Sequence, residues 1–197
     1  IVIAKTSVSV DKIKDLKTIK FKIVKKLQHE NSSFSQPCFS PDSKYLTYIS
    51  NKDGSRRLFK YNIKTEAHTS ISAPNLEIGG PDWVSGIRDH GWINNNNLVY
   101  LQKKHGKTRL INYSIKTQYK KIIKLNEENI SDLTTRGSKI CCLLSSTNKI
   151  DSLITYDTKT KKMTTITTAQ VGIIENDSIS KGKFIYHSKR KDLSGIL

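Results

Sequence analysis

Three features of this sequence predict an all-β chain built from repeated four-stranded antiparallel units. Apolar residues are gathered into short β-branched and aromatic runs bounded by Gly, Pro, Asn and Asp. Few windows place apolar residues at i, i+3, i+4 and i+7, the spacing of a helix face. A phrase of an apolar residue, Lys and Thr, followed by a lysine-rich apolar run, recurs along the chain.

The phrase stands at Leu16-Lys17-Thr18, Ile63-Lys64-Thr65 and Ile115-Lys116-Thr117, and as Thr158-Lys159-Thr160 in its last copy. Successive threonines are 47, 52 and 43 residues apart, about the length of one four-stranded β-propeller blade. Tyr61, Tyr113 and Tyr156 each lie four residues before a threonine of the repeat. Tyrosines that recur with the repeat are expected to pack between blades.

Taken in order, 1–27 reads as the end of one blade, and 28–76, 77–126 and 127–170 as three more, about three and a half blades of a partial β-propeller. Within 1–27, Asp11 to Leu27 could be drawn as an amphipathic helix. A strand is preferred, because Leu16 to Leu27 repeats the plan of Ile115 to Leu125. The 28–76 unit offers Gln36–Phe39, the Ser40-Pro41-Asp42-Ser43 turn, Lys44–Ser50, the Asn51-Lys52-Asp53-Gly54 turn, Arg57–Ile63, and a short strand His68–Ser72. In the next, Trp92 leads through Asn94–Asn97 to Leu98–Gln102, then His105-Gly106-Lys107, Arg109–Ile115 and Lys121–Leu125. The last runs Ile130–Thr134, Lys139–Ser145, Ser152–Tyr156 and Lys162–Thr167, with turns at Arg136-Gly137-Ser138 and Thr147-Asn148-Lys149. Ile1 and Leu197 read as cuts through strands of a longer protein. Three and a half blades leave open edges, so association of the isolated piece is expected.

Charge narrows the partners. The formal net charge is +17, from 34 Lys and Arg against 17 Asp and Glu. Only six of the cations are arginine and the lysines are scattered, whereas nucleic-acid readers favour the bidentate arginine fork on one face. A solvated lysine surface is expected, without specific nucleic-acid binding. No apolar stretch reaches the roughly 20 residues of a membrane span, so no membrane partner is expected. Cys38 stands alone and Cys141-Cys142 are adjacent, which in a strand sends their side chains to opposite faces. With no CxxC spacing, buried free thiols are expected, with no metal or cofactor, in a cytoplasmic setting.

The segment Phe39-Ser40-Pro41-Asp42-Ser43-Lys44-Tyr45-Leu46-Thr47-Tyr48-Ile49-Ser50 resembles a blade signature, F-S-P-D-G-K followed by alternating apolar residues. That signature is shared by TolB-type propellers and by the propeller domain of prolyl-oligopeptidase-family serine peptidases. Ser43 replaces its glycine, a change a type I turn is expected to tolerate. Trp92 to Tyr100 resembles a shorter version, and no Trp-Asp dipeptide of the Trp-Asp-repeat kind ends a strand. From Glu175 on the repeat is lost: 175–197 reads as a linker and the first strand of a further domain. Phe184-Ile185-Tyr186-His187-Ser188-Lys189-Arg190-Lys191-Asp192-Leu193-Ser194-Gly195-Ile196-Leu197 resembles the stretch that leads into the α/β-hydrolase domain of those peptidases. Here Lys191-Asp192 stands where the family has an Asp-Gly hairpin.

The resemblance implies a parent serine peptidase acting on short peptides, its propeller admitting substrates by size and a hydrolase domain carrying the Ser-Asp-His triad. The peptide partner would be bound through that domain, outside this chain. The alternative is a TolB-like propeller that binds protein or polysaccharide on one face. No catalytic, cofactor or metal residue is assigned in this chain: no two glycines are four apart, so there is no G-x-S-x-G elbow. His29, His68, His90, His105 and His187 are expected at the surface. Asp89-His90-Gly91-Trp92 is expected to be a turn into an inner strand rather than an acid or metal site, and Gly79-Gly80-Pro81-Asp82-Trp83 a loop between blades rather than a phosphate cradle. Glu127-Glu128 reads as a charge-balanced loop before it reads as a binder of substrate amino termini.

Overall fold

The computed structural model describes residues 1–6, 19–74, 76–80, 83–84, 86–104, 106–125, 129–146, 149–169, 184–186 and 194–196. Every regular element among them is a strand. An antiparallel pair comes first, β1 (Val2–Thr6) with β2 (Phe21–Lys26). The first four-stranded sheet follows, with β3 (Phe34–Phe39), β4 (Tyr45–Ser50), β5 (Arg57–Asn62) and β6 (His68–Ser70). The second holds β7 (His90–Trp92), β8 (Asn97–Lys104), β9 (Lys107–Ser114) and β10 (Lys120–Ile123). The third holds β11 (Asn129–Arg136), β12 (Lys139–Ser146), β13 (Lys149–Asp157) and β14 (Met163–Thr168). A closing antiparallel pair is formed by β15 (Phe184–Tyr186) and β16 (Ser194–Ile196).

In each four-stranded sheet the spatial order is the chain order, and every neighbouring pair is antiparallel. Such sheets are propeller blades, and their arrangement is that of a partial propeller. The first strands of successive sheets, β3, β7 and β11, approach one another, while β6, β10 and β14 do not. The first strands therefore form the inner rim and the fourth strands the outer one.

The central strands are apolar on both faces because each sheet is packed on two sides. Along β8, Leu98 and Tyr100 point toward the first sheet and join a cluster with Ile49, Leu58 and Ile78. Val99 and Leu101 point the other way and pack with Leu133, Ile140 and Cys142 of the third sheet. The same alternation in β4 sends Leu46 and Tyr48 toward Leu27 and Ile3, and Ile49 toward the second sheet. The repeat tyrosines lie across from Leu46, Leu98 and Ile140. Tyr61 and Tyr113 are buried in the two inter-sheet clusters on their faces, and Tyr156 packs partly buried on the third. They are the packing residues their recurrence suggested.

The Lys-Thr phrase is turn chemistry. Asn62 Oδ1 accepts from the backbone N–H groups of Lys64 (2.9 Å) and Thr65 (3.1 Å), and Asp157 Oδ1 from those of Lys159 (2.8 Å) and Thr160 (3.4 Å). The residue after the threonine takes a left-handed conformation in all three sheets: φ is 58° at Glu66, 57° at Gln118 and 59° at Lys161. The first residue of each phrase donates its backbone N–H to the turn between the sheet's first two strands: Ile63 to Lys44 O (2.9 Å), Ile115 to Asn96 O (2.7 Å), Thr158 to Ser138 O (2.9 Å). The period read in the sequence is thus a repeated staple between two hairpin ends on one side of each sheet.

The β2 strand agrees with the strand reading of that segment, whose part 11–18 lies outside the described residues. The β1 strand carries no repeat signal, and the tail forms a strand pair where a single strand was expected. The Ser40–Lys44 turn corrects a further expectation. Ser43 has φ +56°, so the position usually held by glycine requires the left-handed region and is not an indifferent type I site. The turn compensates elsewhere: buried Ser40 donates its hydroxyl to Asp42 Oδ1 (2.8 Å) and accepts the Tyr45 N–H (3.0 Å). A non-glycine residue in this conformation costs about 1 kcal/mol or more. Ser43→Gly is therefore expected to raise unfolding stability by about 1 kcal/mol, and β-branched Ser43→Val to lower it, in urea titration. Equal midpoints for the three proteins would contradict this account of the turn.

Candidate functional site

The inner rim is where the three sheets meet and where a propeller presents its channel. Gln36 in β3 and Asp132 in β11 stand at equivalent positions, and Asp89 immediately precedes β7. Gln36 and Asp132 each sit on a bulge with φ 52°. Gln36 and Asp89 clasp each other across two sheets. Gln36 Nε2 donates to Asp89 Oδ2 (2.6 Å), and the Asp89 N–H donates to Gln36 Oε1 (2.7 Å). Asp89 Oδ2 also accepts the Gly80 N–H at 3.0 Å, which ties down the connection between β6 and β7. On the other side the Leu133 N–H donates to Arg88 O (3.0 Å), joining β11 to the same corner. Asp132 is exposed and accepts from its neighbour Ser131 (3.1 Å).

The short run Asp89-His90-Gly91-Trp92 supplies the rest of the junction. Gly91 lets β11 approach: a Cβ there would lie 2.5 Å from Thr135 Oγ1 and 2.9 Å from its Cγ2. Trp92 reaches back to the first sheet, donating Nε1–H to Thr47 Oγ1 (3.2 Å) and Cys38 O (3.3 Å) and stacking on Tyr45. The run is a turn leading into an inner-strand tryptophan, as the sequence indicated.

His90 departs from the surface placement expected of the five histidines. It is 4% exposed, in the register position occupied by Pro37 in the first sheet and Leu133 in the third. Neither ring nitrogen has a side-chain or backbone partner at hydrogen-bonding geometry. Burial, aided by the nearby Arg88 guanidinium and opposed by the Thr47 backbone, holds the imidazole at about 4, so it is neutral at physiological pH. The imidazole is therefore a neutral, buried group. His29 and His68 are exposed, and His105 and His187 lie outside the described residues.

The other candidates resolve less sharply. Gly79 and Gly80 lie in the connection between β6 and β7, and Gly79 approaches Ile49 with φ +96°; Pro81 and Asp82 are outside the described residues, as are Glu127 and Glu128. Cys142 is buried in the core between the second and third sheets, and Cys141 lies half-buried on the opposite face. Burial pushes the Cys142 thiol up to about 12, far from the range of a nucleophile. Among the described residues no three His, Cys, Asp or Glu side chains are grouped to hold a metal. The Gln36–Asp89 clasp was missed in the sequence because its partners are 53 residues apart.

The sequence matches no protein-family model and no curated protein. Solved structures do resemble it. A puromycin-hydrolysing peptidase of Mycobacterium tuberculosis superposes with TM-score 0.71 at 17% identity, over 85% of this chain and 25% of that one. Prolyl oligopeptidase B from Galerina marginata superposes with TM-score 0.64 at 11% identity, over 96% of this chain and 26% of that one. A TolB structure from Agrobacterium tumefaciens gives TM-score 0.54 at 12% identity, over 75% of this chain and 52% of that one. The chain thus spans about a quarter of the length of the peptidases it matches. Identities this low establish the shared fold alone.

The burial of His90 sets a pH dependence. Its pKa falls from 6.5 to about 4 on folding, so between those values the unfolded chain binds the extra proton. Stability therefore rises with pH across this window and is lost on acidification, by about 3 kcal/mol once pH reaches 4. Urea midpoints measured from pH 7 to pH 4 are expected to fall accordingly, and His90→Leu, which copies the residue at 133, to flatten the fall. An unchanged slope in the variant would place the pH dependence elsewhere.

Proposed function

We propose that this chain is the propeller portion of a prolyl-oligopeptidase-like serine peptidase, gating the access of short peptides to a hydrolase domain outside it. The observation that carries this reading is the tail. Phe184 pairs with Ile196, Ile185 with Gly195 and Tyr186 with Ser194. This antiparallel pair brackets Lys191-Asp192, the site at which the resemblance places the hairpin leading into the hydrolase domain. The superposition on prolyl oligopeptidase B covers 96% of this chain, too much for the whole tail to fall outside it. A closer match in fold to the peptidase than to TolB, TM-scores 0.71 and 0.54, supports the same choice.

The inner rim suits a filter. Its strands are tied to one another by the Gln36–Asp89 pair and the Arg88–Leu133 bond, and buried hydrogen bonds to a carboxylate resist opening. A rim held this way discriminates by the size of what passes along it, leaving chemistry to the triad. The chain contributes no nucleophile elbow, consistent with a role in selection rather than bond cleavage.

A binding propeller of the TolB kind is the second reading, favoured by the TolB superposition over three quarters of this chain. The two separate in the protein that contains this sequence. The coding sequence beyond Leu197 is expected to encode G-x-S-x-G followed by Asp and then His, and the expressed product to be labelled by a fluorophosphonate serine probe. Continuation into further blade repeats, with no labelling, would overturn the peptidase reading and leave the binding propeller.

A further inference from the structure

A cleft of about 230 Å³ opens between the end of β2 and the first sheet. Its floor is apolar and aromatic, made by Leu27, Phe34 and Tyr48. Its walls carry Lys25, Lys26, Lys52, His29 and His68. Of the described carboxylates near this wall, Glu30 follows His29 at an exposed position, and Glu66 and Asp53 are engaged. Glu66 is paired with Lys25, and Asp53 accepts from Arg57 Nη1 at 2.7 Å. Lys52 is positioned by the Phe59 ring, with Nζ 4.5 Å from its centroid. His68 is positioned by the Tyr48 hydroxyl, 2.6 Å from Nδ1, which leaves Nε2 as the ring's other polar atom.

This chemistry is not a by-product of the repeat. Register places Tyr100 and Lys120 of the second sheet, and Cys142 and Met163 of the third, where the first has Tyr48 and His68. Among the described residues, only the first sheet combines a tyrosine–histidine pair with a surrounding set of lysines. Burial and the charges of Lys52, Lys25 and His29 hold the His68 imidazole below its ordinary value, with Glu66 acting the other way. With Glu66 taken by Lys25 and Asp53 by Arg57, Lys26 and Lys52 leave the cleft a net positive lining over an apolar floor, surroundings that attract an anion.

We propose that this cleft binds a small organic anion, a carboxylate or phosphate group carried on an apolar body. The oxyanion is held by Lys26, Lys52 and His68, and the apolar body lies on Phe34 and Tyr48. The assignment is independent of any peptidase role.

Histidine NMR during titration with phenyl phosphate, benzoate and inorganic phosphate at constant ionic strength tests it. Saturable movement of the His68 ring signals is expected, with an upward shift of its titration midpoint, while the His90 signals stay in place. Lys52→Ala and Lys26→Ala are each expected to weaken binding at least threefold; Lys26 lies on an exposed strand end, so its loss leaves folding intact. Stronger binding of phenyl phosphate than of benzoate would assign a phosphate ligand, and the reverse a carboxylate. Inorganic phosphate binding as tightly as phenyl phosphate would overturn the role of the apolar floor. No saturable shift, or the same affinity in both variants, would overturn the site.

Discussion

The constraint on which the rest of this structure depends is that no sheet can bury its own apolar surface. A strand such as β8 sends Leu98 and Tyr100 to one side and Val99 and Leu101 to the other. Leaving either face in water would forgo roughly 1.5–3 kcal/mol for each large side chain. Sheets must therefore stack, and each inter-sheet cluster draws residues from two neighbours. The same demand explains why β4 is buried over nearly its whole length, whereas β14 is exposed at every position.

Stacking alone would leave the sheets free to slide. The inner rim removes that freedom with groups that are polar, buried and satisfied: Asp89 accepts from Gln36 and Gly80, and Trp92 donates across to Thr47 and Cys38. Gly91 contributes by absence, since a methyl group there would collide with Thr135. Three of the four residues Asp89–Trp92 thus have separate mechanical reasons. His90 among them is the exception, a buried imidazole where the neighbouring sheets hold Pro37 and Leu133, and one that costs stability in acid.

Much of the fold was legible because the relevant forces are local. Strand positions followed from short β-branched runs between turn formers, and observed ends differ from the expected ones by a few residues at most, as for Trp92, extended back to His90, and Ile130–Thr134, extended to Asn129–Arg136. The repeat was legible because each copy must build the same turn, with Asn62 or Asp157 capping it. Features set by tertiary contact were not. Nothing local marks His90 as core, Asp89 as the partner of Gln36, or the Tyr48–His68 pair as lining a cleft. Ser43 misled for another reason: its turn accepts a strained residue because Ser40 and Asp42 hold the loop with side-chain hydrogen bonds. The functional reading depends on the tail and on likeness of fold.

Native-state hydrogen exchange reads the mutual dependence of the sheets directly. If stacking and the inner-rim bonds make the sheets one unit, the amides of Tyr48, Tyr100 and Cys142, in the second strands of the three sheets, open with one common free energy. That energy would match global unfolding, and Asp89→Ala would lower it at all three sites together. Three separate opening energies, with only the sites nearest Asp89 responding to the substitution, would contradict the account and make each blade an independent unit.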